Sequence, residues 1–364
     1  MQEPNSTAPE HKVSRRHAMI RTAQTVGAGA LAVIGGKFLY DGKGDAGLPK
    51  PETVKLKNYF ANVDFPKSAP RISVARGDQE NLDKMLRAAV SGLDPELGMK
   101  RFVRNGETVL IKPNVGFERA PQLGATTNPE VLRCLIRLVF EAGAAQVLVA
   151  DNPIEQAAAC FSRSKIQDAA EAEGAKVLLP ADVHFRSIEV RTGNPDPTRH
   201  EALGTWPVFW KPLEAADKVI GIAPIKDHNL CYASMSMKNW YGLLGGRRNQ
   251  FHQAIHNIVS DLGLMMSPTM VINDGTRIMM KNGPTGGRLD DVKDGHTIVA
   301  GVDPIAVDAW CFENLLDRDP ANLTYLEYAT QKFGGRPFDE VQRFGQRDWR
   351  AYQRQGLIAD TQVG

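Results

Sequence analysis

Short runs rich in Val, Ile and Leu recur along this chain, separated by helical patterns, and that alternation limits the fold more than any other feature. The runs are "ETVLIKPN" (107–114), "AQVLVADNP" (145–153), "KVLLP", "DKVIGIAPIKDH" (217–228), "PTMVINDG" (268–275) and "HTIVAGVDP" (296–304), with a less regular strand-like stretch, "FRSIEVRTG". Their cores are continuously apolar, as expected of strands buried on both faces. Between them "NPEVLRCLIRLVFEAG" (128–143) reads as an amphipathic helix, with Pro near its start and Gly at its end, and "SKIQDAAEAEG" reads as another. The expectation is an α/β fold: a mostly parallel, doubly wound sheet with helices on both faces and a ligand cleft at the C-terminal strand ends.

The residues that close each run bear on function. The strand ends carry Lys112 and Asn114; Asp151 and Asn152; Lys226, Asp227 and His228; Asn273 and Asp274; and Asp303. In open parallel sheets ligands bind beyond the carboxyl ends of the strands. Any one of these ends is explained as turn chemistry, because Asn and Asp mimic backbone turns. Five together, lysines included, predict one shared polar cleft.

The segment 221–240, "GIAPIKDHNLCYASMSMKNW", places the strongest cluster directly behind a core strand. Ser234 or Ser236 near a helix N-terminus, with Lys238 and Asn239 behind, makes an anion pocket. The bland reading is a serine N-cap and a solvated lysine. Arg247 and Arg248 add positive charge. His252 and His256 are spaced to present two imidazoles to one divalent metal, with His228, Asp274 or Asp303 as a third ligand. Hydrogen bonding to an anion is the other use for that pair. Gln253 after His252 rules out the zincin motif. "KNGPTGG" (281–287) reads as a lid or a plain connection. Asp303 reads as the cap of a helix opened by Pro304, and Asp308, inside an apolar helix, needs a Lys or His partner.

The N-terminal region, 1–40, carries paired arginines, Arg15 and Arg16, before a Gly/Ala-rich apolar stretch. That layout predicts a twin-arginine signal, or at most a weak membrane anchor. "GAGALA" within it imitates a dinucleotide fingerprint without the surrounding strand and helix. Residues 41–70 read as a linker, 71–333 as the α/β domain and 334–364 as a polar helical tail. Formal net charge is +2, from 44 basic and 42 acidic residues, which argues against a nucleic-acid partner. Cys134, Cys160, Cys231 and Cys311 form no CxxC, so no iron–sulfur cluster is expected, and one disulfide is open if the chain is exported.

The order "VLIKPN", "TTNPEVLRCLIRLVFEAGAAQVLVADNP", "PIKDH", "SMSMKNWYGLLGG", "NDG", "NGPTGG" and "AGVDPIAVDAW" resembles the family known as domain of unknown function 362. The resemblance runs from about Gly106 to Trp310; Lys226 to His228 and the Lys-Asn-x-x-Gly step, Lys238 to Gly242, are its most specific parts. Many members append a ferredoxin-like cysteine cluster, absent from this sequence, so the resemblance implies fold and site positions and leaves the reaction open. The functional expectation is an exported enzyme, periplasmic or tethered facing the periplasm, acting on a small anionic substrate. Lys226, His228, Lys238 and Asp274 are its expected catalytic groups. Lys112, Asn114, Asp151, Asn152, Ser234, Ser236, Asn239, Arg247 and Asp303 are its expected substrate contacts. A non-catalytic exported binding protein is the alternative, and a redox protein is disfavoured by the missing cysteines.

Overall fold

The computed structural model describes residues 52–190, 203–333 and 348–364. The expected signal segment, the start of the linker and the first part of the tail lie outside the described residues. The strands are β1 (Thr53–Val54), β2 (Ile72–Arg76), β3 (Thr108–Lys112), β4 (Gln146–Ala150), β5 (Lys176–Leu178), β6 (Phe185–Val190), β7 (Gly204–Phe209), β8 (Lys218–His228), β9 (Tyr232–Ser234), β10 (Met270–Met279), β11 (Val292–Gly301) and β12 (Ile358–Gln362).

The main sheet has the order β12-β2-β11-β10-β8-β3-β4-β5, with β9 folded back on β8. Strands β10, β8, β3, β4 and β5 run parallel, whereas β11 is antiparallel to both β10 and β2. Side chains of the central strands alternate between two cores, as strand geometry requires. Val109, Ile111, Val147, Val149, Ile220 and Ile222 join helices Leu82–Ser91 and Pro129–Glu141 on one face. Leu110, Leu148, Val219 and Val271 join helices Ile255–Met265 and Pro304–Asn314 on the other. Each such side chain contributes about 1.5–3 kcal/mol on burial. The doubly wound, mostly parallel architecture is as the apolar runs predict.

Several local expectations give way. The "NDG" stretch is no turn: Asn273 and Asp274 lie inside the ten-residue strand β10 and point to opposite faces. Because β11 runs against β10, its last residue pairs near the start of β10, Gly301 with Val271. Asp303 therefore lies at the opposite edge of the sheet from the ends of β3, β4 and β8. The segment 52–70 is not a plain linker, since β1 pairs with β6 in a small sheet and Tyr59, Phe60, Val63 and Phe65 are buried. Nor is the chain's last part a peripheral helix: β12 pairs in parallel with β2.

Candidate functional site

The ends of β3, β4 and β8 converge on a cleft lined by Asn114, Asp151, Asn152, Lys226, His228, Ser234, Lys238, Arg248 and His252. Phe117, Ile154, Leu230 and Pro284 line it as well. Its foundation is an ion pair. Lys112 Nζ lies 2.6 Å from Asp151 Oδ1, and both side chains are fully buried. The same ammonium donates to Asn239 Oδ1 (2.9 Å) and to the Pro113 carbonyl, while the Val115 amide donates to Asp151 Oδ2. Desolvation, opposed by Asp151, holds the Lys112 pKa below the usual lysine value.

The Lys-Asn-x-x-Gly step now has a physical reading. Lys238 faces the cleft. Asn239 ties two strands together, donating from Nδ2 to the carbonyls of Lys112 and Ile222. Gly242 backs onto the ion pair: a Cβ there would come within 2.0 Å of Asp151 Oδ1 and 2.7 Å of Lys112 Nζ, so only glycine fits.

Lys226 is 1% exposed and donates to the Ala125 carbonyl (2.6 Å) and to Asn114 Oδ1 (3.1 Å), with the Phe117 ring centroid 5.3 Å away. Burial, reinforced by the charge of Lys238, pushes its pKa down to about 7. The Lys238 ammonium rests over the Tyr241 ring, 4.8 Å from its centroid. Among the described residues it has no hydrogen-bond or ion-pair partner. Desolvation lowers its pKa too. In His228, Nδ1 accepts from the Leu230 amide (3.1 Å), so the neutral ring carries its proton on Nε2. Burial and the two lysines push the pKa of this ring down to about 2, which keeps it neutral.

The basic pair resolves into different roles. Arg247 is exposed and outside the cleft. Arg248 is buried and donates to the carbonyls of Asn152 (2.7 Å), Pro153 (2.6 Å), Tyr241 and Leu244, clamping the loop to the end of β4. Its expected neighbour Asn152 donates to the Leu244 carbonyl and borders the cleft.

Five further expectations are corrected. Ser236 belongs to a buried network around Asp308, whose carboxylate accepts from the Ser236 hydroxyl, the Ser236 and Met237 amides and Asn273 Nδ2. The expected amide nest is thus already filled by a carboxylate, and Asp308 is satisfied by neutral donors instead of Lys or His. Burial pushes its pKa up to about 6. Asp274 accepts from the Asn128 amide, the Thr276 amide and the Thr276 hydroxyl, fixing the entry to helix Pro129–Glu141. Asp303 caps helix Pro304–Asn314 and accepts from the Tyr352 hydroxyl. The two histidines rest on different tyrosines, His252 on Tyr241 and His256 on Tyr232. His252 sits in the tight turn Arg248–Ala254 before the helix that holds His256, so the single helical face presumed for a metal is interrupted. Among the described residues no group of three His, Cys, Asp or Glu is placed to hold a metal.

Sequence reasoning missed Phe117, Ile154 and Leu230, which wall the cleft with apolar surface. The available signal was a large apolar residue in each of three otherwise polar loops. Pro284 is also contributed by the Gly-rich loop, whose Gly283 amide donates to Asp227 Oδ2.

Fold and site together define an α/β protein with a cationic cleft at the C-terminal ends of parallel strands. Residues 109–313 match the family described as domain of unknown function (DUF362), and the chain belongs to that family. It is 27% identical over 278 residues to the Thylakoid-associated protein sll1697 of Synechocystis sp., covering 73% of this chain and 80% of that protein. Among solved structures it overlaps the lactate racemase apoprotein from Thermoanaerobacterium thermosaccharolyticum at a TM-score of 0.29 and 13% identity, covering 64% of this chain and 56% of that one. It overlaps a Thermotoga maritima protein at 0.32 and 13%, covering 71% and 60%. The chain thus spans little more than half the length of either structure. Among the described residues no helix is long and apolar enough to cross a membrane.

Proposed function

We propose that the cleft binds a small anion and that Lys226 exchanges a proton with it. One observation carries this reading: among the described residues the cleft's cations are not matched by carboxylates. There Lys238 has the Tyr241 ring as its one partner, Lys226 has a carbonyl, an amide oxygen and the Phe117 ring, and Arg248 has four carbonyls. The cleft's Asp151 is already paired with Lys112. Buried charge without a counter-charge is costly, and an anionic ligand supplies the missing partner. His228 Nε2–H and the Ser234 hydroxyl offer neutral donors beside the lysines.

Lys226 favours an enzyme over a plain binding protein. A binding site is served best by a permanently charged lysine, whereas an amine titrating near neutrality suits proton transfer. His228 takes a donor's role here, because its ring stays neutral and its Nδ1 is already engaged. The paired arginines Arg15 and Arg16 extend the proposal to export through the twin-arginine machinery.

Calorimetric titration of the purified chain with inorganic phosphate and with acetate tests the anion site. At least one of the two is expected to bind. Lys238→Met is expected to weaken that binding tenfold or more with an unchanged circular dichroism spectrum. Equal affinity in wild type and variant would sink the proposal.

A further inference from the structure

The cleft is built in two layers, and a bare anion makes no use of the outer one. Below are Lys226, Lys238 and His228. Above them stand Phe117, Ile154 and Leu230. Ile154 is 48% exposed and Leu230 44% exposed, so both hold large apolar side chains in solvent at the rim. Among the described residues only five large hydrophobics are this exposed, and two of them border this one cleft. A third, Tyr232, lies two residues beyond Leu230.

The rim is held in place. The Ile154 amide donates to the Gly116 carbonyl (3.1 Å). The Leu230 amide donates to His228 Nδ1, the bond that sets the Nε2–H tautomer below. Leu230 thus places an apolar side chain at the rim through the same backbone group that orients a donor on the floor. Phe117, itself buried, joins the layers: its ring centroid lies 5.3 Å from Lys226 Nζ and it lines the cleft.

We infer that the ligand is an amphiphilic anion, a carboxylate or phosphate bearing an alkyl or aryl group, its charged head at Lys238 and its apolar part against Phe117, Ile154 and Leu230. The inference rests on the anion reading and adds the substrate class. Exposed apolar side chains gain nothing from facing water, and a bare anion leaves them there. An apolar substituent covers them at roughly 25 cal/mol per Å². Charge complementarity fixes the orientation, because the cations lie at the floor.

The test compares each bare head with its alkylated form on the full chain: acetate with octanoate, and inorganic phosphate with hexyl phosphate. For whichever head binds, the alkylated form is expected to bind at least tenfold tighter, about 1.4 kcal/mol. The double variant Ile154→Asn/Leu230→Asn is expected to lose most of that gain, read as the ratio of alkylated to bare affinity in the same variant. Both positions are rim-exposed, and a thermal melt of the variant checks that the fold is intact. Equal affinity for bare and alkylated forms would overturn the inference and leave the anion reading standing. A chain-length gain that survives in the double variant would also overturn it, since the apolar part would then lie elsewhere. Binding of neither series would remove the anion reading, and the inference with it.

Discussion

Lys226 is the residue on which the proposed proton exchange turns, and its environment makes its behaviour with pH predictable. Both the Ala125 carbonyl and Asn114 Oδ1 accept from its amine, and burial holds the pKa at about 7. Below that pH the ammonium adds to the attraction of Lys238 for an anion; above it the attraction weakens. Anion affinity is therefore expected to fall as pH rises through 7, and to vary less over the same window in Lys226→Met. The same shift sets the sign of the stability effect. The folded-state value lies below that of an unfolded lysine, so between about pH 7 and 10 the unfolded chain binds the extra proton and stability rises with pH. Denaturant midpoints at pH 7 and 9.5 should differ by less in Lys226→Met than in wild type. An identical pH response of affinity and stability in the two proteins would mean that Lys226 does not titrate in this range. The lysine was legible in the sequence as a base behind a strand; its depressed pKa was not, because burial depends on the chain folded around it.

At the scale of elements, the "SMSMKN" segment divides its two serines between structure and site. Ser234 ends β9 at the cleft, whereas Ser236 opens the short helix Ser236–Asn239 on the Asp308 carboxylate. Ser236→Ala is expected to cost about 1 kcal/mol of stability, the usual worth of one hydrogen bond, and to leave anion affinity unchanged. Ser234→Ala is expected to do the reverse, lowering affinity several-fold with little effect on the melting curve. If Ser236→Ala weakens binding as much as Ser234→Ala, the division is mistaken. The sequence could not separate the two, since the carboxylate that claims Ser236 is 72 residues away. The same non-locality explains the other misplaced groups. Lys112, Asp151, Lys226 and His228 come together because β3, β4 and β8 run in parallel and deliver their ends to one edge, although Lys112 is buried against Asp151 and does not line the cleft. Asp303 was misassigned because the direction of β11 is set by its partners β10 and β2, not by its own residues. Asn273 and Asp274 resemble a turn locally, yet β8 and β11 hold them in a central strand.

For the whole molecule, the proposal of export through Arg15 and Arg16 bears on where the chain would fold. The alternation of apolar runs made the two-faced core readable, but sheet edges were harder, because β12 is mostly polar and β1 only two residues long, and they owe their places to β2 and β6. The cysteines bear on the route. Cys134, Cys160, Cys231 and Cys311 are all buried, and none is paired with another in this structure, which fits the proposal of a chain that folds before export. Burial raises the pKa of every one of the four thiols, which keeps them unreactive. Such a chain can complete its fold in a reducing cytoplasm, and the twin-arginine route carries proteins already folded. The expected outcome is specific to that route. Replacing Arg15 and Arg16 together by Lys should leave folded protein of full anion affinity in the cytoplasmic fraction, while wild type moves to the exported fraction. Melting curves of both should be the same with and without a thiol reductant. Export of the double-lysine variant at the wild-type level would remove the twin-arginine proposal. A reductant-sensitive melt would show instead that a disulfide forms and that the fold matures after export.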